Sequence, residues 1–82
     1  MDPQEIQKLI EIGLAGAKVE VRTDGQGHYE ALVVAEQFDG KRTLARHQLV
    51  YGTLGERVGR EIHALQLQTF TPAEMHARLA ES

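Results

Sequence analysis

Apolar residues recur along this chain in two rhythms. Ile6, Leu9, Ile10 and Leu14 fall at helical intervals and form one stripe. Asp2 stands where an N-cap belongs, Pro3 suits the first helical position, and Glu5 completes a capping box three residues after Asp2. Gly16 is the expected left-handed stop. The rhythm then shortens. Ala17, Val19 and Val21 alternate with Lys18, Glu20 and Arg22, which predicts a half-buried strand. Thr23-Asp24-Gly25-Gln26-Gly27 supplies turn chemistry, and Tyr29 to Ala35 reads as a second strand with His28 at its start. Its run Ala31-Leu32-Val33-Val34-Ala35 is apolar on both sides of the pleat, so this strand is expected at the centre of a sheet. Phe38-Asp39-Gly40 closes it with a turn. From Thr43 the helical spacing returns through Leu44, His47, Tyr51, Leu54 and Val58, with Gly59 as the expected stop. Ile62 to Phe70 reads as a third strand. Thr71-Pro72-Ala73-Glu74 then repeats the capping logic of the N-terminus, opening a last helix whose buried contacts are expected from Met75 and Leu79.

The predicted order is α-β-β-α-β-α, a single α+β domain with a three-stranded mixed sheet and its helices on one face. Strands one and two form a hairpin. Strands two and three are joined through the long helix by a right-handed crossover, which makes them parallel. Their starting ends then lie at one edge of the sheet. His28 and His63, far apart in sequence, are thereby expected at one end of the fold.

The chain has 82 residues and no cysteine. A disulfide framework, a thiol nucleophile, a cysteine zinc site and a self-sufficient iron–sulfur site are excluded. No apolar run approaches the ~20 residues that span a bilayer, and Met1-Asp2-Pro3 does not open a signal peptide, so a cytoplasmic protein without membrane contact is expected. No nucleophile–base pair, phosphate loop or carboxylate pair stands out, which favours a binding protein over an enzyme. Net charge is −3, but it is unevenly spread: residues 40–60 carry Lys41, Arg42, Arg46, Arg57 and Arg60 against Glu56 alone. One basic segment in an acidic body suits a phosphate group or an acidic partner surface.

Several segments, read together, resemble the BolA family, in particular the short acidic-start form of its IbaG-like (YrbA-like) branch. They are Asp24-Gly25 with His28-Tyr29, then Leu32-Val33-Val34 leading to Phe38-Asp39-Gly40, and Arg46-His47-Gln48-Leu49-Val50-Tyr51. The most distinctive is Ile62-His63-Ala64-Leu65 followed by Thr71-Pro72-Ala73-Glu74. The likeness runs from about Ile6 to Met75. It implies a BolA-like αββαβα fold related to the type II KH domain, and two functional themes. One is association with a monothiol glutaredoxin, sharing a [2Fe–2S] cluster in iron–sulfur trafficking and iron and stress homeostasis. The other is transcriptional regulation through DNA or RNA. The resemblance implies His63 as a cluster ligand. A second ligand, His or Cys, comes in the family from the loop between the first two strands. Here that loop is short and His28 is the candidate in it.

Chemistry is compatible with the first theme. Histidine replaces cysteine on one iron of Rieske [2Fe–2S] centres, and imidazole ligation competes with protons near pH ~6.5. A cluster takes four ligands, so two imidazoles cannot hold it; partner thiolates, from glutaredoxin and glutathione, must complete it. Alone, the chain is expected to be a monomer or weak homodimer with no cofactor. For the second theme the candidates are Lys41, Arg42 and Arg46. Gly52-Thr53-Leu54-Gly55 matches the GxxG letters of KH domains, but Leu54 lies on the helical stripe, so the match is read as accidental. His47, on that stripe, is expected to be packed, and His76 exposed.

Overall fold

The computed structural model describes residues 1–81. Helix α1 (Pro3–Gly13) begins where Asp2 accepts the Gln4 N–H at 2.8 Å. It buries Ile6 and Ile10 and ends on Leu14. Gly16, with φ +82°, lies beyond the helix in the turn that leads to the sheet rather than at its end. Strands β1 (Lys18–Thr23) and β2 (His28–Val34) form the antiparallel hairpin, and β3 (Ala64–Phe70) runs parallel to β2. The sheet order β1-β2-β3 puts β2 at the centre, as its two-sided apolar run requires.

Register decides which side chains meet. Tyr29, Ala31 and Val33 of β2 are buried, and their ladder partners Val21, Val19, Leu65 and Leu67 share that face. Against it lie Ile6, Ile10 and Leu14 from the first helix and Val50 and Leu54 from α2 (Thr43–Leu54). Phe38, on a short 3-10 turn at Glu36–Phe38, and Ile62, just before β3, fill the core between them.

Helix α2 stops earlier than its apolar spacing suggests. Gly55, not Gly59, ends it, with φ +58° at the first position past Leu54. Val58 keeps helical spacing from Leu54 but is extended, forming an isolated bridge with Ile62 across the tight turn at Gly59.

Helix α3 (Pro72–Ala80) has a complete capping box, in which Thr71 Oγ1 accepts the Glu74 N–H at 3.1 Å and Glu74 accepts the Thr71 N–H at 2.9 Å. Its anchorage differs from expectation: it contains no buried side chain, Met75 is half-buried, and Leu79 is 66% exposed. Polar contacts hold it instead. Arg46 of α2 donates from its two terminal guanidinium nitrogens to Glu74, at 2.6 and 3.0 Å, and from Nε to the Lys41 carbonyl at 2.8 Å. Arg78 lies over the Phe70 ring.

This clamp has an acid limit. The Arg46 guanidinium and then the Thr71 N–H hold the Glu74 carboxyl down at about 2. A carboxyl lowered on folding contributes stability above its unfolded value and loses it as the pH falls through the folded one. Urea midpoints of the wild type and Glu74→Gln are therefore expected to differ above pH 4.5 and to converge as the pH falls to about 2. A gap that does not change over that window would mean the carboxylate charge contributes nothing to the clamp.

Candidate functional site

Parallel pairing of β2 with β3 builds one rim of the molecule. His28 stands opposite Ala64 in the ladder, and the backbone N–H groups of His63 and Ala64 both donate to the Gly27 carbonyl, at 3.0 and 3.2 Å. His28 opens β2 and His63 stands one residue before β3, tied to Gly27 through its backbone, so the two histidines leave the chain at the same end of the sheet, and both are exposed.

The turn between β1 and β2 shapes their surroundings. Gly27 has φ +84°, and the His63 ring lies against its α-carbon in space that a Cβ would occupy. Only glycine both adopts that backbone and leaves that space. At the other end of the turn Asp24 accepts the Gln26 N–H on Oδ1 at 2.7 Å, an Asx turn, and its Oδ2 lies 2.8 Å from His28 Nδ1. The Gln26 N–H, then His28, hold the Asp24 carboxyl below its ordinary value. Thr23 Oγ1 closes the hairpin on the His28 carbonyl at 2.9 Å. A shallow cleft beside the turn is lined by Arg22, Asp24, His28, Glu30, Ala64 and Gln66. His28 faces this cleft and His63 does not line it, so the two imidazoles share a rim but open onto it separately.

As a donor set the rim offers two exposed imidazoles and no thiol. Among the described residues no three His, Asp or Glu side chains converge into a group able to hold a metal. Two imidazoles fill two of the four positions of a tetrahedral site, so the described residues of the rim do not by themselves complete one.

The basic candidates divide. Lys41 and Arg42 are exposed at the start of α2. Arg46 is not available alongside them: its side chain is 12% exposed and its guanidinium is committed to Glu74, the Lys41 carbonyl and the face of Phe38. Gly52 and Leu54 lie inside α2, with Leu54 fully buried, so the GxxG letters do not form a loop between helices. His47 is half-buried and His76 exposed. Asp24 and Gly27, which set the surroundings of the two histidines, read in the sequence only as turn formers; the Asp24–His28 spacing was the available signal. Among the described residues no helix is long and apolar enough to cross a membrane.

A family model described as BolA-like protein matches residues 9–74. The acid stress protein IbaG of Escherichia coli is 37% identical over 75 residues, covering 90% of this chain and 88% of that protein. The DNA-binding transcriptional regulator BolA of Escherichia coli is 37% identical over 54 residues, covering 66% of this chain and 51% of that protein. Among solved structures, a BolA protein homologue from Coxiella burnetii superposes with a TM-score of 0.82 at 40% identity, covering 93% of this chain and 97% of that one. The BolA domain of SufE1 from Arabidopsis thaliana superposes with a TM-score of 0.77 at 30% identity, covering 88% and 93% of the two chains.

Proposed function

The chain belongs to the BolA family, and from that premise we propose that it is a small adaptor that binds a monothiol glutaredoxin and contributes His63, with His28 beside it, to a [2Fe–2S] cluster shared between the two proteins. One observation carries this reading: the His63 ring is exposed against Gly27 at the end of the sheet where β3 begins, and a second exposed histidine, His28, opens β2 at the same end. Imidazoles at such a rim suit half of a ligand set, and the missing half is thiolate chemistry that this chain lacks and that glutaredoxin cysteine with glutathione would supply. A bound cluster adds coordinate bonds that only the complex can make, so association follows cluster loading. The presence of a BolA domain in SufE1 supports an iron–sulfur setting, and the name of the IbaG relative supports a role in stress homeostasis.

The test is to mix the chain with a cluster-loaded monothiol glutaredoxin and follow the visible absorption and circular dichroism of the cluster. New features that saturate at one chain per glutaredoxin support the adaptor; a spectrum that stays that of the glutaredoxin alone overturns it.

A second reading, as a nucleic-acid-binding regulator, is favoured by the exposed pair Lys41 and Arg42 and by the name of the BolA relative. With Arg46 occupied, the surface carries fewer cations than the sequence suggests. Duplex binding of this kind is expected to weaken steeply with salt, and Arg42→Ala to reduce the slope of log affinity against log salt by about 1. An unchanged slope on a measured isotherm, or no binding at low salt, sets this reading aside.

A further inference from the structure

The contact between Asp24 and His28 goes beyond turn geometry. Asp24 uses both carboxylate oxygens: Oδ1 accepts the Gln26 N–H, and Oδ2 lies 2.8 Å from His28 Nδ1. An ionised carboxylate has no proton to give, so a neutral imidazole in this contact must carry its proton on Nδ1. Its Nε2 is then the nitrogen with a free lone pair, on a ring that is 60% exposed. Carboxylate, imidazole and an open nitrogen in that order form the arrangement by which proteins orient histidine toward metals.

We propose that Asp24 is a positioning residue that locks His28 in its Nδ1–H tautomer and presents Nε2 outward as the nitrogen that binds metal. This rests on the adaptor reading above for the identity of the metal group, the [2Fe–2S] cluster. The turn sequence is thereby part of the site, and Asp24 acts on the metal through His28 without touching it.

Asp24→Asn separates this role from a merely structural one. The Asn side-chain oxygen keeps the Gln26 N–H bond and the Asx turn. The new amide group then faces His28 Nδ1 as a donor, which demands the opposite tautomer. The first measurement is nitrogen-15 NMR of the imidazole rings in the isolated chain at pH ~8.5, where imidazoles are neutral. Wild type is expected to show His28 protonated on Nδ1 and Asp24→Asn to show it on Nε2. The His63 ring serves as internal control, and the amide spectrum away from the turn should not change. A wild-type His28 protonated on Nε2, or a tautomer unmoved by Asp24→Asn, overturns the proposal.

The second measurement titrates each chain into cluster-loaded monothiol glutaredoxin. Asp24→Asn is expected to need about 10-fold more chain to reach half of the spectral change, matching His28→Ala. Superimposable wild-type and Asp24→Asn titrations overturn the proposal even if the adaptor reading holds. A wild-type chain that leaves the cluster spectrum untouched overturns the adaptor reading and the assignment of the cluster to Nε2. The ring measurement then still decides whether Asp24 sets the tautomer.

Discussion

Phe38→Ala is expected to cost about 3–5 kcal/mol of folding stability and to lower the thermal midpoint by well over 10 °C, at roughly 4–8 °C per kcal/mol for a domain this small. Phe38 is the largest fully buried side chain, standing among Ile6, Ile10, Val33, Val50, Leu54 and Ile62. It reaches them from a single turn of 3-10 helix, so backbone collapse around the vacated space is limited by the 3-10 turn on one side and by β2 on the other. Its ring also carries the Arg46 guanidinium, 5.8 Å from the centroid, so truncation removes the surface on which the α3 clamp rests. Total stability for about 80 residues is of order 4–12 kcal/mol, which makes the loss comparable to the whole at the lower end. Phe38→Leu, which keeps most of the volume, should cost far less. Urea unfolding followed by far-ultraviolet circular dichroism checks both; equal losses for the Ala and Leu variants would place the ring outside the load of the core.

That the residue most central to packing lies in an irregular turn shows where sequence patterning stops being informative. Alternation in 17–22 and the double-sided apolar run in β2 specify the hairpin and the central strand, because a period of two leaves only one face for the core. The parallel crossover then follows from chain length and handedness, and with it the shared rim of His28 and His63. Phe38 carries no periodicity, so its burial depends on where the elements on either side converge. Helix α2 shows the converse. Val58 repeats the helical spacing, yet Gly55 releases the backbone first and Val58 pairs with Ile62 instead. Spacing reports which residues seek burial, and the backbone that delivers them can change on the way.

Charge is less legible than hydropathy for a related reason. Lys41, Arg42 and Arg46 are alike as letters, but Arg46 faces Glu74 across 28 residues of sequence and bonds it in two places. A polar helix face such as that of α3 reads as amphipathic because Met75 and Leu79 keep helical spacing, while neither becomes fully buried. The clamp supplies what apolar contact does not. Arg46 therefore serves the architecture that holds α3 beside the strand emerging from the His63 rim, and of the three basic candidates Lys41 and Arg42 are the exposed ones, just ahead of α2.

His63→Ala is expected to eliminate the spectral change that the wild-type chain produces on a cluster-loaded monothiol glutaredoxin while altering folding stability by no more than about 0.5 kcal/mol. The two halves of this expectation have different origins. His63 is exposed, and the bonds that tie its position into the fold come from its backbone, whose N–H meets the Gly27 carbonyl at 3.0 Å; alanine keeps that bond. Removing the ring takes away a contact with the Gly27 α-carbon and nothing in the core. On the adaptor reading, what His63 contributes is its ring nitrogen, which alanine removes while leaving the backbone in place. His28→Ala should weaken the same change without eliminating it, because His28 opens onto its own cleft. The decisive comparison is the titration of all three chains at equal cluster loading, with thermal unfolding run in parallel. A His63→Ala chain that is folded and still reshapes the cluster spectrum as the wild type does would remove His63 from the site, and a loss that tracks unfolding would assign it to the fold instead.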